Sequence, residues 1–217
     1  ALKFKSDTAC VFTTPSESFS KTNTNCSVEE AIMRAEQVTK KALNNGIKVR
    51  GYISTVMFCP YEGEIKPLKV ANLCEKLIKM GCYEVSLGDT IGSGNPLKTK
   101  QMIEACKDAV GIEKLAVHFH DTYGQALSNI LASLELGIKV IDTSVGGLGG
   151  CPYAPGARGN VATEDVLFML NGMGIKTGVD LNKVCDASRF VFEKLGQKPF
   201  SRVYNALEAK KLTCKEQ

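Results

Sequence analysis

His118 and His120 are the only histidines in the 217-residue chain, and they stand two positions apart in Leu115-Ala-Val-His-Phe-His120. That segment reads as a strand. Side chains alternate along a strand, so both imidazoles should point one way and Phe119 the other. Two imidazoles one pleat apart can converge on a single ion, and Asp121 follows at once. The competing reading, one histidine in a core and the other in a solvated loop, explains a lone histidine better than this pair. Asn160 lies beyond Pro155, Gly156 and Gly159, after the last strand expected from the sequence, and its amide oxygen is a further candidate donor. Imidazoles with oxygen donors suit Mg²⁺, Mn²⁺ or Co²⁺ better than a thiolate-rich zinc or copper site. All three donors are neutral, so an ionised carboxylate is expected nearby; Asp89 is a candidate, and strands missing from the front are an equally good place for it.

A second chemical feature is the stretch Ser144-Val-Gly-Gly-Leu-Gly-Gly-Cys-Pro-Tyr153. Its glycines allow positive φ and a change of shape, and Cys151 is presented at the end of the run beside Pro152. Such loops also cradle phosphates at helix N-termini, but that role gives no reason for a thiol in this place. A loop of this kind can close over a substrate and deliver a general acid or base. Glu164 falls four residues after Asn160, where a helix should begin, and the two are expected to share a face. Glu164 is then either a supporting partner of the site or a first-turn acid favoured by the helix dipole.

The elements that must position these residues alternate. Strands are expected at 10–14, 49–54, 83–87, 115–120 and 140–145, and helices at about 28–45, 66–80, 96–109, 123–136, 163–173 and 181–195. Ser27 with Glu30 forms a capping box, Gly46, Gly81 and Gly137 stand where left-handed caps are wanted, and Pro96 suits a first helical turn. Strand–helix alternation implies parallel strands joined by right-handed crossovers. Polar or flexible residues end each strand: Thr14, Ser54, Asp89, the histidines and Ser144. Chemistry drawn from many strand ends favours a closed (β/α)₈ TIM barrel over an open doubly wound sheet. Five strands are countable where eight are needed, so the chain is expected to hold the last five β/α units of an α/β barrel, about 90–100 residues short at the front. The expected organisation is one partial-barrel domain over 1–217. Residues 9–175 would be units four to eight, and 176–217 a helical extension.

Composition narrows the function class. An apolar share of 44% and a net charge of +4 fit a globular protein, with no arginine-rich stripe or aromatic series for nucleic acid and no run long enough for a membrane span. The nine cysteines show no CxxC pair and no framework spacing, which favours free thiols.

Taken together, these motifs resemble the 3-hydroxy-3-methylglutaryl-CoA lyase family. The resemblance is carried by the glycine loop ending in Cys151, with Gly146 where that loop usually has Ala, a change expected only to add flexibility. It extends through Asn25-Cys-Ser27, Val49-Arg-Gly-Tyr52, Cys59-Pro-Tyr-Glu-Gly63, Ser86-Leu-Gly-Asp-Thr-Ile-Gly92, His118-Phe-His-Asp-Thr-Tyr-Gly-Gln125 and Gly159-Asn-Val-Ala-Thr-Glu-Asp165. The His-x-His strand alone is shared with metal-dependent condensing synthases. The resemblance implies metal ligation by His118, His120 and Asn160, with Mg²⁺ or Mn²⁺ as the ion. It implies a catalytic set of Cys151, His118, Asp89 and Glu164, with Tyr52 and Thr90 binding substrate. The implied reaction cleaves an acyl-CoA, 3-hydroxy-3-methylglutaryl-CoA, to acetoacetate and acetyl-CoA in the mitochondrial matrix, within leucine breakdown and ketone-body formation, by an enzyme that is a homodimer when full length. The family keeps an Arg-Asp pair on its first strand, the Asp as fourth ligand, and this chain has neither position. The chain alone is therefore expected to be poorly soluble, inactive and weak in metal binding. The alternatives are a related acyl-CoA/2-oxo acid condensing synthase, or a truncated isoform that binds metal or partner subunits.

Overall fold

The computed structural model describes residues 3, 5–150, 152 and 159–213. Cys151, Pro155, Gly156 and Cys214 lie outside the described residues. The chain forms two compact units, Ala1–Asp142 and Thr143–Gln217.

The first unit is built on a parallel sheet with the order β1-β2-β5-β6-β7. The strands are β1 (Thr8–Thr13), β2 (Lys48–Ile53), β5 (Glu84–Asp89), β6 (Leu115–Phe119) and β7 (Ile141–Asp142). Between them come α1 (Glu17–Thr24), α2 (Val28–Leu43), the antiparallel hairpin β3 (Phe58–Cys59) and β4 (Gly63–Glu64), α3 (Pro67–Lys79), α4 (Pro96–Val110) and α5 (Ala126–Glu135). Every strand pairing in the main sheet is parallel. This is the α/β architecture of a partial barrel.

Local sequence sets the helix ends. Ser27 Oγ accepts from Glu30 N at 3.2 Å and Glu30 returns the bond from Ser27 N at 2.8 Å, closing the capping box that opens α2. Asn95 caps α4 ahead of Pro96, and Pro67 opens α3, where a missing N–H costs nothing. Gly46, Gly81 and Gly137 all take positive φ past their helices. α1 was not expected: its sequence ESFSKTNT is polar, but Ser16 caps it and Phe19 anchors it in the core at 2% exposure. The last strand is two residues long where six were expected.

One face of the sheet meets the helices. Val49, Ile53, Val85, Leu87, Val117 and Phe119 are each at most 1% exposed on that face. Each contributes roughly 1.5–3 kcal/mol by leaving water. Gly51 belongs to the same face for a steric reason: a Cβ there would stand 3.0 Å from Leu77 Cδ1 of α3. The other face carries the polar residues described below. Phe12, on that side of β1, is 52% exposed.

In the second unit, a tight turn at Val145–Gly147 precedes α6 (Thr163–Gly172), α7 (Leu181–Leu195) and α8 (Arg202–Thr213). Asp165 near the start of α6 accepts from Ser201 Oγ at 2.6 Å and Val203 N at 2.9 Å, tying α6 to α8. Arg189 of α7 is bound by Glu208 of α8 through two bonds of 3.0 and 2.7 Å. The seven described cysteines are free thiols, as their spacing suggested.

Candidate metal centre

Register decides which side chains meet. Arg50 is opposite Glu84 and Tyr52 opposite Ser86, while Gly88 is opposite His118 and His118 opposite Asp142. Residues directly opposite on paired strands share a face, so Arg50, Tyr52, Glu84, Ser86, His118 and Asp142 all project from the side away from the helices. His120 joins them: its ring centroid lies 5.6 Å from that of His118. The strand-alternation expectation for the two histidines therefore holds, with Phe119 buried on the opposite side.

Arg50 organises this face. Its Nε donates to Glu84 Oε1 at 2.6 Å, and its Nη1 donates to both oxygens of Asp142 at 2.9 Å and to the Tyr52 hydroxyl. The guanidinium also sits 4.8 Å from the Tyr52 ring centre. Burial alone would lower the Arg50 pKa, but the bond to Glu84 and the charge of Asp142 outweigh it and raise it. Burial would likewise raise Asp142. Bonds from His118 and Ser86, with the Arg50 charge, hold it below its ordinary value instead. Two carboxylates thus face one guanidinium, and this part of the sheet carries net negative charge beside the imidazoles.

The two histidines differ. His118 Nδ1 lies 3.5 Å from Asp142 Oδ2, and its ring meets the Tyr52 ring edge-on with centroids 6.4 Å apart. His120 Nδ1 is buried and makes no hydrogen bond. Burial, with the neighbouring His118, pushes the His120 pKa down to about 4 against the pull of the Thr90 backbone. A neutral imidazole keeps a lone pair for a metal ion. An unpaired buried nitrogen, a second imidazole alongside and surplus negative charge are together what a divalent ion asks of this face. Among the described residues no group of three or more His, Cys, Asp or Glu gathers as a complete ligand set, so further donors are required.

Asp89 does not join the histidines. It is opposite Phe119, on the helix side of the sheet, fully buried. Its Oδ2 accepts from Gly94 N at 2.9 Å. Burial raises its pKa to about 6, against the backbone N–H groups of Gly94, Ser93 and Gly92. The carboxylate beside the histidines is Asp142 instead. Thr90 braces the neighbouring loop: its hydroxyl accepts from Thr55 N at 2.8 Å, and Thr55 is a buried β-branched residue in the left-handed region at φ 57°.

Asn160 and Glu164 belong to the second unit. They do not share a helical face, because α6 begins only at Thr163 and the preceding residues pair as a short bridge, Ser144 with Ala162. The Asn160 amide donates to Leu148 O at 3.0 Å. Glu164 is fully buried, and both its oxygens accept from Gly146 N at 3.1 and 2.9 Å. This overturns the expectation that Gly146 merely loosens the loop. Its φ is 61°, and a Cβ there would meet the Phe192 ring at 2.4 Å. The positive φ and the close ring favour glycine at this pinned turn.

Sequence reading missed Arg50, Glu84, Ser86 and Asp142. The available signal was two polar residues at alternating positions in strands whose other positions are apolar. Parallel sheets are buried on both faces and normally read as continuous apolar runs, so those alternations mark a lined site.

The family model for HMGL-like proteins matches residues 1–191. The chain belongs to this family. It is 55% identical over 196 residues to the 3-hydroxy-3-methylglutaryl-CoA lyase, cytoplasmic, of Rattus norvegicus, covering 90% of this chain and 57% of that protein. It is 52% identical over 205 residues to the hydroxymethylglutaryl-CoA lyase, mitochondrial, of Bos taurus, covering 94% and 61%. The chain thus spans about three-fifths of the length of these relatives. The crystal structure of hydroxymethylglutaryl-CoA lyase from Pseudomonas aeruginosa superposes with a TM-score of 0.95 at 52% identity, over 97% of this chain and 70% of that one.

Proposed function

We propose that this chain carries the metal-holding strand and the proton-transfer loop of a divalent-metal-dependent carbon–carbon lyase. The substrate is 3-hydroxy-3-methylglutaryl-CoA, and the products are acetoacetate and acetyl-CoA. The observation that carries the reading is the face on which two adjacent imidazoles, one held neutral by burial, stand beside a surplus of carboxylate. On this reading His118 and His120 donate to Mg²⁺ or Mn²⁺, and Asn160 is a further donor, as the family resemblance implies. When bound, the ion polarises the substrate's tertiary hydroxyl and eases loss of its proton. The residues of the chain then have separate tasks. Tyr52 packs beside His118 and shapes the pocket wall. Glu164 pins the start of the glycine loop through Gly146, and the loop delivers the Cys151 thiol as the group that moves a proton. Asp89 and Thr90 hold the β5–α4 loop in shape.

Bond cleavage leaves an enolate of the thioester, which must be stabilised and protonated. The two relatives above are named cytoplasmic and mitochondrial, and we propose the mitochondrial matrix for this protein and a homodimeric assembly. None of the described helices is long and apolar enough to cross a membrane. The test is a fusion that places residues 9–217 behind the leading segment of the Pseudomonas aeruginosa lyase. It should release acetoacetate in a Mg²⁺- or Mn²⁺-dependent way, and His118→Ala should abolish release. A folded fusion that instead condenses acetyl-CoA with a 2-oxo acid, or binds metal without turnover, sinks the reading. The 217-residue chain by itself is expected to show no measurable turnover.

A further inference from the structure

On β7, Asp142 is held from two sides. Arg50 Nη1 grips both of its oxygens at 2.9 Å, and Ser86 Oγ donates to Oδ2 at 2.7 Å. Arg50 cannot swing away, because Glu84 holds its Nε at 2.6 Å and Tyr52 takes a further bond. The carboxylate is therefore a fixed acceptor, and the group facing Oδ2 at 3.5 Å is Nδ1 of His118. An ionised carboxylate offers only acceptor sites. At 3.5 Å the charge of the carboxylate favours the ring proton on the imidazole nitrogen turned towards it, which leaves the lone pair on the remote nitrogen. We infer that Asp142 is a positioning residue that locks His118 in the tautomer with the proton on Nδ1 and Nε2 bare for a metal ion, with Arg50 and Ser86 as the clamp that keeps Asp142 in place.

This inference rests on the metal-binding reading above. It also answers the question of charge. The imidazole donors are neutral and Asp89 faces the helices, and Asp142, 3.5 Å behind His118, adds negative charge that helps to offset a divalent ion. Carboxylates behind metal-binding histidines fix ring orientation and raise basicity, and losing one typically weakens metal binding about 10- to 100-fold.

Because the chain has just two histidines, its imidazole spectrum is simple. The ¹⁵N-labelled full chain is observed by long-range ¹H–¹⁵N correlation at about pH 8, where imidazoles are neutral, with His120→Gln assigning the two rings. Metal-free wild type should show His118 protonated on Nδ1. Asp142→Asn should shift His118 towards the Nε2-protonated form and raise by about 10- to 100-fold the Mn²⁺ concentration that broadens its signals. Ser86→Ala should move both readings the same way by less. Phe12→Ala changes the same face of the sheet at an exposed residue outside the clamp and should leave the tautomer unchanged, which a merely structural role for Asp142 would not predict. If Asp142→Asn fails to fold, the wild-type tautomer and Ser86→Ala still decide. An Nε2-protonated His118 in the wild type overturns the inference, as does Mn²⁺ broadening that both Asp142→Asn and Ser86→Ala leave unchanged. No Mn²⁺ broadening of either ring in the wild type overturns the metal reading itself, and this inference with it.

Discussion

The two faces of the first unit's sheet are made by the same strands, one residue out of step. Towards the helices stand Val49, Ile53, Val85, Leu87, Val117 and Phe119, and away from them stand Arg50, Tyr52, Glu84, Ser86, His118 and Asp142. The contrast is sharpest between two aspartates. Asp89 faces the helices and has only backbone N–H groups for company, so burial drives its pKa up to about 6. Asp142 faces the other way, and Arg50, Ser86 and His118 overcome the same burial and hold its pKa down. Position within the pleat, rather than residue type, decides whether a carboxyl serves stability or holds charge for chemistry.

If the helix side is where stability resides, its truncations should cost most. Phe119→Ala should lose about 3–5 kcal/mol in urea unfolding, the range for deleting a buried aromatic side chain. A loss under about 1 kcal/mol would mean that the helices do not pack on β6 as described. On the polar side the largest single effect should come from Arg50→Met. Removing one partner of a buried ion pair leaves the others uncompensated, at about 3 kcal/mol. Adding Glu84→Gln and Asp142→Asn to Arg50→Met should recover much of that stability, since the cost is stranded charge and not lost packing. No parallel rescue exists for Phe119→Ala, and finding one would blur the distinction between the faces.

Much of this is legible in the sequence. His118 and His120 stood out because histidine is scarce in the chain and period-two spacing has one geometric meaning in a strand. The Ser27–Glu30 box and the Asn95-Pro96 start were legible because capping is local. What escaped depended on register. Arg50, Glu84 and Asp142 lie in three different strands, Glu84 and Asp142 standing 34 and 92 positions from Arg50, and only parallel pairing brings them within a hydrogen bond. Asp89 was misplaced for a related reason. It closes its strand just as the histidines close theirs, but the Gly88–His118 register puts it on the opposite side. Glu164 and Asn160 looked like helical neighbours from their spacing of four, although the helix expected at about 163–173 already left Asn160 outside it, as α6 does.

The smallest net effect is also the most diagnostic. With divalent ions removed by chelation, Asp89 and His120 should tilt stability against pH in opposite directions. The folded-state pKa of Asp89, about 6, lies above its ordinary value, so its contribution is present at acid pH and fades as pH rises through 6. That of His120, about 4, lies below its ordinary value, so its contribution is present above about 6.5 and fades as pH falls through 4. Both slopes occupy the window from about pH 4 to 6.5, and at about 1.4 kcal/mol per pH unit each amounts to roughly 3 kcal/mol. In the wild type they should nearly cancel. Asp89→Asn should leave a stability that rises with pH across this window, and His120→Gln one that falls. Each is read as a difference from wild type by urea unfolding at several pH values, which removes the contributions of Asp142 and the surface carboxylates. If both variants tilt the same way, the two residues do not sit in the opposed environments that the faces give them. A tilt for Asp89→Asn alone would mean that His120 is more open to water than its burial implies, which would weaken its assignment as a neutral metal donor.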